Sequence, residues 1–140
     1  MVSCTFFGHR DCPSSIRGVL ATEIEKLISH HQVDTFYVGT HGNFDRMAYA
    51  TLVELCKRYQ QITVYRVLAY MPKPYDIDTV DTIVPEGIEN AYPRYAIVHR
   101  NNWMTDHSDY VIAYVTQTFG GAYQSVERAR KKGKITIQIR

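Results

Sequence analysis

The chain alternates short β-rich apolar runs with longer segments of helical spacing. This alternation predicts stacked strand-helix units around a parallel sheet. Residues 3–7 read as a first strand, which ends at Gly8-His9-Arg10. After Pro13, the pair Ser14/Ser15 can cap a helix with an apolar stripe at Ile16, Leu20, Ile24, Leu27 and Ile28. Residues 35–38 form the second strand. The turn Gly39-Thr40-His41-Gly42-Asn43-Phe44-Asp45 follows, and then a helix with its stripe at Ala48, Leu52, Leu55, Cys56 and Tyr59. A third strand at 62–69 runs into residues 70–93, which hold four of the five prolines and no convincing period. A structureless stretch of that length inside a compact unit is usually functional or mobile. A helix at about 95–106, an unbroken apolar strand at 110–115, a glycine turn and a helix at about 122–132 come next. Ile135, Ile137 and Ile139 then alternate in a fifth strand, placed at a sheet edge. The expected architecture is a single-domain Rossmann-like α/β fold spanning residues 1–140, with an open parallel sheet of about five strands and helices on both faces.

At 140 residues the chain fits one domain, long enough to bury roughly 68–70% of its unfolded surface. Sixteen Lys+Arg against fourteen Asp+Glu leave a net charge of +2, which argues against nucleic acid or an acidic membrane as the main partner. No segment approaches the ~20 apolar residues of a membrane span, and the first residues lack a signal-peptide pattern, so a cytoplasmic protein is expected. Cys4, Cys12 and Cys56 are odd in number and form no CxxC pair, which predicts neither a disulfide framework nor a zinc site. His9-Arg10-Asp11-Cys12 lacks matching ligands elsewhere, and Asp76, Asp78 and Asp81 do not fit a calcium loop. Neither a resident metal nor a cofactor is therefore expected.

Candidate chemistry gathers where strands end in glycine turns, at Gly8, at Gly39 and Gly42, and at Gly120 and Gly121. In an open α/β sheet the carboxyl ends of the strands form the ligand crevice, and each following helix offers unsatisfied N–H groups to an anion. Three such turns at one edge point to a nucleotide-like small molecule. Gly8, His9, Arg10, Gly39, Gly42, Asp45, Gly120, Gly121, Ala122 and Tyr123 are the candidate binding residues. Arg100 lies three residues after Ile97, three before Trp103 and four before Met104, which puts it on the apolar face of its helix. It either meets a ligand anion, sits in a buried or half-buried ion pair, or snorkels past Trp103. Arg94 is a secondary phosphate candidate. Asp45 either stabilises its helix N-terminus or hydrogen-bonds a ribose hydroxyl. Glu127 reads as a surface ion pair with Arg130 or Lys131, unless it reaches the crevice mouth.

Between residues 100 and 127 the chain resembles the superfamily uniting the DNA-processing protein Smf/DprA with the Lonely Guy phosphoribohydrolases, abbreviated SLOG. A helical arginine before a methionine, a Ser-Asp-hydrophobic strand and a glycine motif PGGxGTxxE mark those enzymes. They correspond here to Arg100 and Met104, to Ser108-Asp109-Tyr110-Val111-Ile112-Ala113, and to Gly120-Gly121-Ala122-Tyr123-Gln124-Ser125-Val126-Glu127. The opening Phe7-Gly8-His9-Arg10 and the Gly39-x-x-Gly42-x-x-Asp45 turn look like a small bacterial branch of that superfamily. The resemblance implies cleavage of the N-glycosidic bond of a nucleoside 5′-monophosphate, with Arg100 and Glu127 as the catalytic pair facing one crevice. It also permits a homodimer. Phe119 replaces the usual proline, Tyr123-Gln124 replaces the Gly-Thr pair, and 115–118 lengthen the turn. These departures remove part of a phosphate cradle, leaving a non-catalytic sensor of a nucleotide-derived ligand, such as an ADP-ribose-like signal, as the alternative.

Overall fold

The computed structural model describes residues 1–71 and 81–140. Strand β1 is Ser3–Gly8, and a single 3-10 turn at Ser14–Ile16 leads into helix α1, Arg17–His31. Neither serine caps that helix by its side chain, because the turn is closed instead by the Ile16 amide donating to the Pro13 carbonyl at 3.4 Å. Strand β2 is Thr35–Val38, helix α2 Gly42–Arg58 and strand β3 Thr63–Val67. Strand β4 is only Thr82–Ile83, and 3-10 turns at Ile88–Asn90 and Pro93–Tyr95 precede helix α3, Ala96–Asp106. Strand β5 is Tyr110–Tyr114, helix α4 Gly121–Lys131 and strand β6 Ile135–Gln138.

The described strands form one sheet in the order β4-β3-β2-β1-β5-β6, with every pairing parallel. The expectation of about five strands falls short by β4. Two residues carry no period, yet the Arg66 and Leu68 amides donate to the Asp81 and Ile83 carbonyls at 3.0 and 2.9 Å. Part of the 70–93 stretch is thus built onto the sheet, while 72–80 lie outside the described residues. β6 occupies the edge expected for it.

Alternation along the strands divides the core. Phe6, Phe36 and Val38 join Leu20, Ile24 and Leu27 of α1 and Ala48, Leu52 and Leu55 of α2 on one face. Phe7, Tyr37, Val111 and Ala113 meet Met104 of α3 and Val126 and Ala129 of α4 on the other. Helices therefore cover both faces, and each fully buried Leu, Ile or Phe contributes about 1.5–3 kcal/mol by leaving water. Among the described residues no helix is long and apolar enough to cross a membrane.

What positions the site is the point where strand order reverses. From β1 the chain builds outward through β2, β3 and β4, then crosses back to lay β5 on the other side of β1. Helices leaving these two central strands depart to opposite faces, so a crevice opens at their carboxyl ends. The register pairs Phe7 with Ala113 and Gly8 with Tyr114, which brings His9 and the 115–120 turn side by side.

Candidate functional site

The floor of the crevice is the end of β1. A Cβ at Gly8 would stand 2.3 Å from the buried Phe44 ring, so only glycine lets α2 pack this close to the strand end. His9 follows, and its Nε2 accepts the Thr116 backbone N–H at 2.9 Å. A neutral imidazole that accepts at Nε2 carries its proton on Nδ1. His9 thereby ties the end of β1 to the turn that feeds α4.

The second turn is closed on protein. Gly42 has φ +90°, and a Cβ there would lie 2.7 Å from Arg10 Cα. The Asn43 amide donates to the Arg10 carbonyl at 2.8 Å. The His41 amide donates to Asp45 Oδ2 at 3.0 Å, so the carboxylate caps the turn that leads into its own helix. Oδ1 of Asp45 has no hydrogen-bond partner among the described residues. Burial pushes the Asp45 carboxyl up to about 6, against the His41 amide, Arg100 and Arg10, which favour the charged form. His41 is held below the usual histidine value by burial, with Arg100 and Arg10 adding to the effect.

Arg100 comes from α3. Only 2% of it is exposed, and the helical face it shares with Met104 turns inward, as its spacing requires. Its Nε donates to Asn101 Oδ1 at 2.9 Å, and its Nη1 donates to the Val67 carbonyl at 3.1 Å and to Thr40 Oγ1 at 3.4 Å. A Cβ on Gly39 would lie 2.7 Å from Asp45 Oδ2 and 3.1 Å from the guanidinium carbon of Arg100. The bare glycine thus lets the two side chains converge over the end of β2. Among the described residues no carboxylate stands within ion-pairing distance of Arg100. Burial pulls its pKa below the usual arginine value, an effect that Asp45 opposes.

The third turn is open. Gly120, at φ +96°, precedes α4 with no side-chain cap, and the Gln124 amide returns to the Gly120 carbonyl at 3.0 Å. The amides of Gly121, Ala122 and Tyr123 are left without partners among the described residues. The first turn of α4 holds no acidic residue, while its last turn holds Arg128, Arg130 and Lys131. The first turn of α4 itself supplies no negative charge to the positive end of this dipole.

Gly8, His9, Arg10, Asp45, Arg100, Gly120, Gly121 and Ala122 line one cavity of about 290 Å³, joined by Phe6, Phe7, His41, Ile97, Asn101, Met104 and Gln117. Gly39 and Gly42 shape it from behind, through their contacts with Asp45, Arg100 and Arg10. Two sequence candidates lie elsewhere. Tyr123 and Glu127 face a separate depression with Gln124, Arg128, Lys131 and Lys132, and Glu127 accepts from Arg130 Nη1 at 3.0 Å. Arg100 and Glu127 therefore do not share a crevice. Glu127, half-buried beside the buried Val126, is turned toward Arg130 on its own helix. Arg94 is exposed against the Tyr95 ring, with its guanidinium carbon 4.8 Å from the ring centroid.

Several polar contributors are not among the sequence candidates, Gln117 of the third turn being one. His41 and Thr40 lie inside the second glycine turn, and Asn101 sits beside Arg100 in the run His99-Arg100-Asn101-Asn102-Trp103-Met104. Polar residues wedged between glycines, or beside an inward arginine, are the signal that could have found them. Among the described residues no group of three or more His, Cys, Asp and Glu side chains is placed to hold a metal ion.

No protein-family model matches this chain, and no curated protein does. Solved structures do. DNA processing protein A (DprA) from Streptococcus pneumoniae is similar with a TM-score of 0.72 and 14% identity, over 99% of this chain and 50% of that one. This chain thus spans about half the length of that protein. The molybdenum cofactor carrier protein MCP from Chlamydomonas reinhardtii is similar with a TM-score of 0.64 and 18% identity, over 99% of this chain and 76% of that one. Identities this low establish the fold and nothing finer: this is an α/β chain with a Rossmann-like fold similar to that of these two structures.

Proposed function

We propose that the crevice between β1 and β5 binds a small, nucleotide-like phosphate ester. The observation that carries this reading is Arg100, a buried guanidinium that lines the cavity without a carboxylate partner among the described residues. A buried cation is costly unless an anion meets it, and the open amides at the start of α4 suit phosphate oxygens. At about 290 Å³ the cavity lies at the small end of ligand sites, which run roughly 300–1,000 Å³, and fits a mononucleotide better than a dinucleotide. The likeness in fold to a molybdenum cofactor carrier protein adds support for a small-molecule ligand.

Hydrolysis of a nucleoside 5′-monophosphate is the finer reading that the Lonely Guy resemblance implies. It needs Glu127 beside the sugar, whereas Glu127 is ion-paired to Arg130 outside the cavity. Binding without turnover, as in a sensor, is therefore the reading we favour.

Thermal shift and calorimetric titration against nucleoside monophosphates, sugar phosphates and dinucleotides test it. The wild-type protein gains stability with a phosphate ester, and Arg100→Met weakens that binding by about 100-fold or more, the loss of a charge-assisted contact. Glu127→Gln leaves it unchanged. Free base released from any of these nucleotides and abolished by Glu127→Gln would overturn the sensor reading in favour of the hydrolase.

A further inference from the structure

We infer that an anion reaching Arg100 binds together with one proton, which Asp45 takes up from solvent on Oδ1. The inference rests on the phosphate-binding reading above and adds how that site responds to pH.

The geometry sets up a competition for the same cations. Asp45 and Arg100 converge over Gly39, where a Cβ would lie 2.7 Å from Asp45 Oδ2 and 3.1 Å from the guanidinium carbon. Both line one cavity of about 290 Å³, with Arg10 beside them. No ion pair joins Asp45 to either arginine, although both act on it electrostatically. The guanidinium groups therefore attract a ligand anion to the very place where a carboxylate already stands. Two like charges in a confined, poorly screened site disfavour each other's ionisation, and the carboxylate relieves the repulsion by taking a proton.

The surroundings of Asp45 single out the atom that is protonated. Oδ2 accepts the His41 amide at 3.0 Å, whereas Oδ1 has no partner among the described residues. A proton on Oδ1 turns a repelling charge into an O–H donor for a ligand oxygen. Burial already brings the carboxyl to about 6 against the pull of the His41 amide, Arg100 of α3 and Arg10 beyond β1, so a nearby anion carries it through neutral pH. The other titratable neighbours are poorer sites. Burial, Asp11 and Asp45 raise the Cys12 thiol, which has no proton to gain, and Tyr70 beyond β3 acts on Arg100. His9 Nε2 is engaged by the Thr116 amide. His41 is the competing base, with Nδ1 3.3 Å from Thr40 Oγ1, and burial and both arginines oppose its protonation.

Calorimetric titration with inorganic sulfate and with adenosine 5′-monophosphate, between pH 5.5 and pH 8, tests the assignment. Sulfate keeps its charge across that range, and the ionisation of the nucleotide is common to wild type and variants. Wild-type protein binds about tenfold more tightly at pH 5.5 than at pH 8, the change that a one-unit rise in the Asp45 pKa on binding produces. Repeating the titration at pH 6.5 in buffers of different ionisation enthalpy shows uptake of about half a proton, a count that needs no variant. Asp45→Asn keeps an acceptor for the His41 amide, binds sulfate with twofold or less variation over the range and takes up no proton. His41→Gln, which leaves the backbone N–H on Asp45, retains the uptake. Wild-type binding without proton uptake, or uptake that persists in Asp45→Asn or vanishes in His41→Gln, overturns this inference and leaves phosphate binding standing. Failure of both probes to bind at every pH overturns the binding reading beneath it as well.

Discussion

The glycine turns before α2 and before α4 share a sequence signature and do opposite work. Around α2 the space a side chain would fill is already taken by protein. Gly39 is pressed by Asp45 and Arg100, and Gly42 by the Arg10 backbone, just as Gly8 is pressed by Phe44. At α4 the same space is empty: no atom lies within 4 Å of a Cβ on Gly121, and a Cβ on Gly120 meets only Gln117 Nε2 at 3.8 Å. Glycine in the first turn permits the protein to close on itself; in the second it keeps protein away from an opening. The amides follow the same division, engaged by Arg10 and Asp45 at one turn and free at the other. Sequence alone ranks these turns as equals.

The sharpest way to break this contrast is Gly42→Ala. With φ at +90° and the new Cβ 2.7 Å from a backbone carbon, it costs about 2–4 kcal/mol of stability, read by urea denaturation. A fall below 1 kcal/mol would show that the turn is not closed on Arg10.

Asp45→Asn comes next, and its effect depends on pH. A carboxyl raised from 3.8 to about 6 binds its proton more tightly in the folded state than in the unfolded one. Its ionised form therefore costs stability, in full above about pH 6, and the cost vanishes as pH falls below 3.8. Asparagine keeps an acceptor for the His41 amide without the charge. Unfolding at pH 8 is expected to show Asp45→Asn more stable by about 1–3 kcal/mol, with little difference left at pH 4. Equal differences at both pH values would locate the effect outside ionisation.

Gly121→Ala has the smallest expected effect on the fold. The site is helical with open space around it, so alanine raises stability by a few tenths of a kcal/mol, up to about 1. The same methyl group intrudes on the anion position and weakens phosphate-ester binding about fivefold to tenfold, measured by calorimetry. Unchanged affinity would place the phosphate elsewhere in the crevice.

Much of the architecture is legible in residue order. The stripe Ile16, Leu20, Ile24, Leu27 and Ile28 is buried as its period requires, and the unbroken run at 110–114 is a central strand. Arg100 turns inward because residues three and four apart share a helix face, which needs no tertiary information. The limits of that reading are equally specific. Strand β4 is two residues long and exists only because β3 offers it partners at Arg66 and Leu68. Glu127 matches a motif by position, but a match along the chain says nothing about which partner the side chain takes, and here it pairs with Arg130 outside the cavity. The convergence of Asp45 with Arg100, 55 residues apart in sequence, depends on β2 lying beside β1 and on a missing side chain at Gly39.

By itself, then, the sequence determined the parallel α/β framework, the edge at which a ligand would sit and the inward direction of Arg100, because each follows from periods of two or 3.6 residues acting locally. The tertiary structure alone decided which glycine turn is open, which acidic residue reaches the crevice and which does not. Those outcomes depend on distances between segments far apart in the chain, and packing, not periodicity, sets such distances.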